Sequence, residues 1–263
     1  MRAATYSRNG EPDVFEYLEV PDPVPQRGEV VVAVEAVSVE GGDLLHRRFI
    51  PPASIPHVVG YAAAGTVVAH GDGVAGLPIG TRVTTFAESG SHGSLRRVPA
   101  SLAWEVPDAL DIASAAAVPV TFGTADDALF TLGDLRPGQT VLVQGATGAV
   151  GWAAVQLAHR AGARVLGTVS DARHVPLLRD LGMSDAIDRA GDVSAQVRKL
   201  NAGAGVDLVV DTIGGSALQQ GVAALADGGR LIMVGMIDRG AHVVTHRTCC
   251  GPESNSLAAC GAI

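Results

Sequence analysis

Cysteine is scarce in this chain of 263 residues, and its distribution is uneven. The three cysteines, Cys249, Cys250 and Cys260, all lie in the last fifteen residues. An odd number of thiols cannot pair completely within one chain, which argues against a disulfide framework. Adjacent cysteines without a paired C-x₂-C partner are also poor zinc ligands, even with His242 and His246 nearby. We therefore predict no metal site.

Positive charge and long apolar runs are also lacking. The chain has 27 acidic and 19 basic residues, a formal net charge of −8, and neither nucleic acids nor anionic membranes attract an acidic protein. No apolar run reaches the roughly 18 residues that a membrane span requires. Residues 1–15 lack the apolar core of a secretory signal. We therefore expect a soluble, cytoplasmic protein with no nucleic-acid or membrane partner.

Two parts of the chain have different patterns. Up to about residue 115, short β-rich segments alternate with Gly, Asp and Pro turns, which predicts a small antiparallel barrel or sandwich. From about residue 116, strands such as TVLVQG, ARVLGTV and VDLVVD alternate with helix-length segments, which predicts βαβ units and a parallel sheet. We therefore expect an α/β protein with domains at residues 1–115 and 116–237, followed by an atypical tail at residues 238–263.

The segment VLVQGATGAVGWAAVQLAH, residues 141–159, carries the strongest functional signal. Gly145, Gly148 and Gly151 follow a predicted strand and open a predicted helix. Glycines let the backbone approach a pyrophosphate, and a helix N-terminus offers it unpaired N–H groups. The pattern predicts a dinucleotide site, and a tight strand-to-helix turn without a ligand is the alternative.

The residues after the second predicted strand indicate which dinucleotide binds. Asp171 is at the spacing of the acid that binds the ribose hydroxyls of NAD, but it also suits a helix cap. Ser170, Arg173 and His174 offer a hydroxyl and cationic groups for a 2′-phosphate. Pro176 fits poorly inside a helix that begins at residue 172, so we expect residues 171–174 to form a loop around that phosphate. NADPH is favoured over NADH.

Longer stretches of the sequence resemble a known family. The run PVTFGTADDAL…LRPGQTVLVQGATGAVGWAAVQLAHRAGARVLGTVS is similar to the cofactor domain of medium-chain dehydrogenases/reductases, most of all the NADPH-dependent quinone oxidoreductases of the zeta-crystallin group. GVDLVVDTIGG and LADGGRLIMVG resemble later strands of that domain, and residues 1–110 resemble the GroES-like catalytic domain. The resemblance implies a GroES-like β-rich N-terminal domain and a Rossmann doubly wound parallel sheet.

The resemblance also points to the zinc-independent branch. Zinc alcohol dehydrogenases of the family have a cysteine in the first domain and Gly-His-Glu where this chain has Gly60-Tyr61-Ala62. Their four-cysteine structural lobe is missing here too. Without such ligands no Lewis acid polarises an alcohol or carbonyl. The implied chemistry is direct hydride transfer from NADPH to an electron-poor acceptor.

By resemblance, the glycine turn and the later strand ends bind the cofactor. The implied contacts are Thr124, Gly145, Ala146, Gly148, Ala149, Val150, Thr168, Ser170, Arg173, His174, Asp211, Thr212, Gly235 and Met236. Asp211 has an equally weighted alternative, as a strand-end residue that bonds only backbone.

The implied catalytic pocket departs from the family pattern. Family members have Asn-Pro, a small residue and an acid where this chain reads VEGGD, so Glu40 replaces an asparagine that often faces the nicotinamide. The family arginine is present as Arg47, but a tyrosine often found after it is missing. Glu40, Asp43 and Arg47 are the candidate catalytic residues, with Glu40 as a hydrogen-bond acceptor or proton relay. The alternatives are a solvated turn acid for Glu40 and a surface cation for Arg47.

The sequence as a whole predicts an NADPH-dependent reductase of quinones or α,β-unsaturated carbonyls, and an enoyl-thioester reductase needs the same hydride geometry. The alternative from another class is a catalytically impaired or non-catalytic NADPH-binding remnant. Family members continue for several dozen residues where this chain reads DRGAHVVTHRTCCGPESNSLAACGAI, so we expect a fold truncated at the C-terminus. Family dimers commonly pair through the last strand of this sheet, which leaves a homodimer open.

Overall fold

The computed structural model describes residues 1–235 and residues 257–259. The chain divides into unit 1, Met1–Val120, and unit 2, which begins at Thr121. Met236 and most of the predicted tail lie outside the described residues.

Unit 1 is built mainly of short antiparallel strands. They are β1 (Arg2–Tyr6), β2 (Glu16–Glu19), β3 (Glu29–Ser38), β4 (His57–Val58), β5 (Ala62–His70), β6 (Arg82–Phe86), β7 (Leu95–Pro99) and β8 (Ala103–Glu105). Its helices are α1 (Gly41–Phe49) and α2 (Ile112–Ala117). The strands form a five-stranded sheet in the order β7-β3-β5-β6-β8 and a three-stranded sheet in the order β2-β1-β4.

The core of the larger sheet comes from valines that alternate along its strands. Val30 and Val32 of β3 are fully buried against Val67, Val83 and Val98 of neighbouring strands. β-branched residues with a period of two suit a pleated sheet with one face buried. The predicted antiparallel β-rich first half is therefore confirmed.

Unit 2 alternates strands with helices. Its elements are α3 (Gly123–Asp126), β9 (Thr140–Gln144), α4 (Ala149–Arg160), β10 (Arg164–Val169), α5 (Val175–Asp180), β11 (Asp185–Asp188), α6 (Val193–Leu200), β12 (Val206–Asp211), α7 (Ser216–Ala224), β13 (Leu225–Met233) and β14 (Leu257–Ala259). The strands form one parallel sheet in the order β11-β10-β9-β12-β13-β14. The strand β14 lies within the predicted atypical tail, residues 238–263.

The central strand β9 is buried on both faces. Val141 and Val143 pack in one apolar cluster with Ala154 of α4, while Leu142 packs in a second cluster with Val193 of α6. Full burial of such a side chain stabilises the fold by about 1.5–3 kcal/mol. Helices thus cover both faces of the sheet, and the predicted Rossmann doubly wound class is confirmed.

The parallel topology brings the candidate cofactor residues to one edge of the sheet. The carboxyl ends of parallel strands meet at the same edge, which is where such sheets bind ligands. Gly145, Ser170 and Thr212 directly follow β9, β10 and β12. Among the described residues, none of the helices has the length and apolar character to cross a bilayer.

Candidate cofactor site and buried polar cluster

The turn between β9 and α4 has a geometry that requires glycine at two positions. Gly145 has a φ of +74°, and a Cβ there would lie 2.4 Å from Thr212 Oγ1. A Cβ on Gly151 would lie 2.2 Å from the carbonyl oxygen of Gly145, a backbone atom that cannot move without the strand end. The first turn of α4 is therefore in direct contact with the end of β9.

Gly148 has a different environment. It precedes α4 with extended backbone (φ −79°, ψ 166°), and a Cβ there would meet only the Gly145 carbonyl oxygen, at 3.4 Å. Gly148 and Ala149 are exposed, whereas Val150 is half-buried. The first-turn amides of a helix have no intrahelical partners, and an anion is favoured beside them. The open space beside Gly148 therefore fits a pyrophosphate.

Side chains from β10 and from the residue after β12 hold this turn. Thr168 Oγ1 accepts a hydrogen bond of 3.0 Å from the Gly145 N–H, and Thr212 Oγ1 donates one of 2.9 Å to the Gln144 carbonyl. The Ala146 side chain is fully buried in the core. In this structure Thr168, Thr212 and Ala146 thus support the turn, and their predicted cofactor contacts stay a prediction.

Asp211 is fully buried at the end of β12. Its Oδ1 accepts hydrogen bonds from the N–H groups of Ile213 (2.9 Å) and Gly214 (3.1 Å), whereas its Oδ2 has no partner in the part of the chain described. Burial raises the pKa of the Asp211 carboxyl, and the two backbone bonds oppose this shift. Asp211 thus bonds to the backbone of the loop after β12, as in the alternative weighed from the sequence, and its predicted cofactor contact stays a prediction.

The structure corrects the predicted loop before Pro176. Residues 172–174 form a 3₁₀ turn, and α5 begins at Val175 with Pro176 at its second position. That prediction was wrong because a proline in the first helical turn lacks only an N–H that would have had no partner.

The predicted 2′-phosphate residues are all accessible. Ser170, Arg173 and His174 are exposed. Asp171 caps the 3₁₀ turn by accepting a bond of 2.9 Å from the Arg173 N–H, and it pairs with the Arg173 guanidinium at 2.6 Å. These bonds from Arg173 lower the pKa of the Asp171 carboxyl. Asp171 thus has the capping role considered from the sequence, and Arg173 already has an anionic partner.

The structure also gives the positions of two further residues predicted to contact the cofactor. Thr124 lies half-buried in α3. Gly235 lies beside the residue after β12, where a Cβ would be 2.9 Å from the Thr212 carbonyl oxygen. Met236 falls outside the described residues.

In unit 1, the candidate catalytic acids Glu40 and Asp43 are hydrogen-bonded to each other at the start of α1. The Ser38 hydroxyl donates a bond of 2.6 Å to Glu40 Oε1, and the Glu40 N–H donates one of 2.8 Å to Asp43 Oδ2. Both carboxyls are buried, and burial raises the pKa of each. The solvated alternative for Glu40 is therefore wrong, because its carboxyl is largely removed from water.

Arg47 is buried as well, so the surface-cation alternative is wrong. Its Nε donates a bond of 3.2 Å to the Gly10 carbonyl, and its guanidinium carbon lies 5.8 Å from the centre of the Phe15 ring. With Asp43 and His92 it lines a cavity of about 240 Å³. Asp43 Oδ1 and His92 Nε2 are buried and have no hydrogen-bond partner among residues that the structure describes.

Arg96 is a buried residue of this cluster that the sequence analysis missed. It is 1% exposed, and its guanidinium donates to Thr85 Oγ1 and to the carbonyl oxygens of Gly60, Tyr61, Thr85, Ala87 and Ser89. Burial lowers the pKa of Arg96 to about 10. An arginine at an inward position of a predicted strand was the available signal, because such positions are normally apolar.

Tyr61 and His46 form a second contact that the sequence did not indicate. The Tyr61 hydroxyl lies 2.9 Å from His46 Nε2. Tyr61 is 5% exposed and stacks on Phe86, with ring centres 6.2 Å apart. Within the described ranges, no three His, Cys, Asp or Glu side chains come together as a metal site.

Family models match both halves of the chain. Residues 26–108 match the alcohol dehydrogenase GroES-like domain, and residues 149–254 match the zinc-binding dehydrogenase domain. The mycocerosic acid synthase-like polyketide synthase of Mycobacterium tuberculosis is 35% identical over 232 residues, which cover 87% of this chain. The match spans only 11% of that synthase, about a tenth of its length.

Solved structures of similar proteins extend this comparison. A mycobacterial quinone oxidoreductase is 31% identical with a TM-score of 0.85, and the match covers 94% of this chain and 78% of that one. The Escherichia coli quinone oxidoreductase, solved in complex with NADPH, is 26% identical with a TM-score of 0.87. That match covers 93% of this chain and 76% of the other.

Proposed function

This chain belongs to the quinone oxidoreductase family of medium-chain dehydrogenases/reductases, and we propose that it transfers a hydride from NADPH to a quinone or α,β-unsaturated carbonyl without zinc. Members of this superfamily are oxidoreductases, and the chain shares their GroES-like and dehydrogenase domains.

The observation that carries the proposal is the open helix start at Gly148. Gly145 and Gly151 are required for the fold of the turn, since a Cβ on either would overlap neighbouring atoms. Gly148 is not required in that way, because a Cβ there would make only an ordinary contact at 3.4 Å. Its exposed backbone beside the α4 amides is therefore free for close approach by phosphate oxygens.

The choice of NADPH rests on the residues after β10. Arg173 and His174 are exposed at this strand end, and cationic groups there suit a 2′-phosphate. The E. coli relative was solved in complex with NADPH, which supports the same choice. Asp171 already accepts hydrogen bonds from Arg173, so its carboxylate is less available to the ribose hydroxyls of NADH than an unpaired acid would be.

The chain's own residues then position the reactants. When bound, NADPH supplies the hydride, and the protein contributes orientation and a dry site. Thr168 and Thr212 keep the glycine turn in place through their bonds to Gly145 and Gln144. Tyr61 and Ala62 occupy the positions of zinc-ligand types in related enzymes, and neither a phenol of raised pKa nor a methyl group binds zinc. These residue types support the zinc-free part of the proposal.

The first experiment is a titration of the purified chain with NADPH and NADH, followed by tryptophan fluorescence. Trp152 lies one turn into α4, where its backbone N–H donates to the Gly148 carbonyl at 2.8 Å, so its indole is close enough to report on this site. Tight NADPH binding and weak NADH binding support the proposal, and binding of neither overturns it. A Trp152→Phe variant, which keeps Trp104, assigns the signal.

A matched pair of variants tests the 2′-phosphate contact. Arg173→Gln should weaken NADPH binding about tenfold and leave NADH binding unchanged, because only NADPH carries the extra phosphate. Arg179→Gln removes an exposed cation from α5 and serves as the control. Equal effects of the two variants would show that general charge, not a specific contact, attracts the cofactor.

The acceptor is then identified by NADPH oxidation with a quinone, an enone and an enoyl thioester. A quinone reductase gives hydroquinone or semiquinone, whereas an enone or enoyl reductase gives the saturated product. Binding without turnover of any acceptor would favour the non-catalytic remnant. Light scattering on the same sample tests the homodimer that the resemblance suggests.

A further inference from the structure

The C-terminal end of α1 is held by Asn9, a residue of the loop after β1, and Gly10 follows it in the chain. Asparagine followed by glycine readily loses its side-chain amide, because glycine has no Cβ to hinder attack by its own backbone nitrogen. We propose that Asn9 is a deamidation site that closed α1 protects, and that deamidation irreversibly releases the C-terminal end of α1. The inference concerns unit 1 alone and does not depend on a cofactor or an acceptor.

The reaction needs only water as a co-reactant. The Gly10 backbone nitrogen attacks Cγ of Asn9, so that an N–Cγ bond forms and the Cγ–Nδ2 bond breaks. Ammonia leaves with the proton of the Gly10 N–H. Water then opens the resulting succinimide ring at one of its two carbonyl carbons. The product is aspartate or isoaspartate at position 9, and no electrons are gained or lost.

Both groups that must react are bonded to the end of α1. Asn9 Nδ2 donates hydrogen bonds to the carbonyl oxygens of His46 (3.1 Å), Arg47 (3.1 Å) and Ile50 (2.6 Å). The Gly10 N–H donates one of 3.1 Å to the Arg47 carbonyl oxygen. The nucleophile and the leaving group are therefore free only when these bonds open together. The rate of deamidation should then follow the population of the locally opened form.

The product cannot form these contacts again. An amide nitrogen donates hydrogen bonds, whereas a carboxylate only accepts them, so the carbonyl oxygens of the last helical turn lose their donor. The C-terminus of a helix carries the negative end of its dipole, which makes a carboxylate there unfavourable. Isoaspartate also lengthens the main chain by one carbon and moves Gly10 relative to Arg47. Either product therefore keeps the end of α1 open.

The release extends to Arg47, one of the candidate catalytic residues. Its Nε donates to the Gly10 carbonyl oxygen at 3.2 Å, and its guanidinium carbon lies 5.8 Å from the centre of the Phe15 ring. The next residue, Arg48, pairs with Glu11 at 2.6 Å, so it already has an anionic partner. Opening of this loop removes the Gly10 contact and loosens Arg47 from its buried position.

Asn201 provides an internal control in the part of the chain that the structure describes. It is the C-cap residue of α6, and its Nδ2 also donates to a backbone carbonyl oxygen, that of Gly205, at 2.7 Å. The residue after it is Ala202, whose Cβ hinders attack by the backbone nitrogen. Asn9 and Asn201 thus both lie at a helix end but differ in the residue that supplies the nucleophile. Asn255 lies outside the described residues and is followed separately.

Peptide mapping by mass spectrometry tests the site in the full-length chain at mildly alkaline pH. In urea, Asn9 should convert to aspartate and isoaspartate faster than Asn201, because glycine follows it. Without urea, the conversion of Asn9 should be at least about tenfold slower than in urea, which corresponds to an opening free energy of about 1.4 kcal/mol.

Three variants test the consequence for α1. Asn9→Asp reproduces the negative product, Asn9→Ala removes only the donor, and Asn201→Asp is the matched control. Asn9→Asp should lower Tm by at least about 4 °C, and Asn9→Ala should lower it less, because only the first adds a carboxylate. Asn201→Asp should lower Tm less than Asn9→Asp, since its Oδ1 already accepts a bond from Arg164 that a carboxylate keeps.

Hydrogen exchange locates the effect without relying on a variant that must fold. In wild-type protein incubated until Asn9 has converted, the backbone amides of residues 47–50 should exchange faster than before incubation. The amides of α6 should exchange as before. This readout does not depend on enzymatic activity.

Three results would overturn the inference. Conversion of Asn9 in urea no faster than that of Asn201 would remove the deamidation site. Equal rates at Asn9 with and without urea would show that α1 does not protect it. An unchanged Tm of Asn9→Asp, with unchanged exchange in the converted wild type, would show that the end of α1 stays closed.

Discussion

Replacing Gly151 with alanine should destabilise unit 2, whereas replacing Gly148 with alanine should weaken NADPH binding and cost no more than about 1 kcal/mol of stability. The two substitutions add the same methyl group to the same glycine turn, three residues apart. They differ in what that methyl group meets, so each is the control for the other.

The structure sets the size of the Gly151 effect. The new Cβ would lie 2.2 Å from the Gly145 carbonyl oxygen and 2.8 Å from the Ala146 Cα, both backbone atoms. Relieving such an overlap moves α4 away from β9, and overpacking of this kind costs about 1–3 kcal/mol. The better helix propensity of alanine offsets up to about 1 kcal/mol. We expect a net loss of about 1–2 kcal/mol, with a fall in Tm of about 2–4 °C for each kcal/mol.

The Gly148 effect has a different origin. Its φ of −79° and ψ of 166° suit alanine, and the new Cβ would sit at an ordinary 3.4 Å from its only neighbour. The poorer N-cap preference of alanine costs no more than about 1 kcal/mol. The methyl group would occupy the open space proposed for the pyrophosphate, so we expect Kd for NADPH to rise about tenfold or more, equivalent to about 1.4 kcal/mol.

Thermal unfolding and fluorescence titration of both variants provide the test. The reasoning about packing fails if Gly151→Ala is as stable as the wild type. The cofactor site fails if Gly148→Ala is folded and binds NADPH as tightly as the wild type, because the pyrophosphate would then lie elsewhere.

Three further substitutions test the bonds around the two sites. Asp211→Asn should become more stable relative to the wild type as the pH rises from acid to neutral. Burial raises the pKa of Asp211, so the stability that its carboxyl contributes is present below the ordinary carboxyl pKa and is lost as the pH rises through the folded-state pKa. Equal differences in urea midpoint at all pH values would contradict this. Arg96→Met should cost about 3 kcal/mol or more because it leaves several buried carbonyl oxygens unpaired, whereas the exposed Arg97→Met should change stability by less than about 0.5 kcal/mol in the same unfolding assay. Thr168→Val should cost about 1–3 kcal/mol by leaving the Gly145 N–H without its acceptor, and Thr168→Ser, which keeps the hydroxyl, should restore most of the loss.

The order of elements in unit 2 was readable from the sequence to a large extent. The strands β9, β10 and β12 were predicted because each is a continuous apolar run that becomes buried on both faces. Helix α1 was missed because it starts with two glycines, which lower helix propensity. Its C-terminal end is held by a distant segment, since Asn9 donates to the carbonyl oxygens of His46, Arg47 and Ile50.

The sequence by itself determined the features that depend on neighbours along the chain. A strand, a glycine-rich turn and an apolar helix face follow one another within residues 141–159, so the candidate cofactor turn needed no tertiary information. The same local pattern also identified the strand ends where Ser170 and Thr212 lie, because parallel strands bring their carboxyl ends to one edge.

Only the tertiary structure decided which side chains share a hydrogen bond. Tyr61 and His46 are fifteen residues apart, and Arg96 reaches the Tyr61 carbonyl across thirty-five residues. Such pairs depend on the register of antiparallel strands and on how α1 packs, neither of which leaves a periodic trace in the sequence. The partners of Asp211 were not predictable either, although they are only two and three residues away. Its carboxylate accepts hydrogen bonds from the Ile213 and Gly214 amides only because the backbone folds back after β12. A titratable side chain is visible in a sequence, but its partner is set by packing, and the partner decides its chemistry.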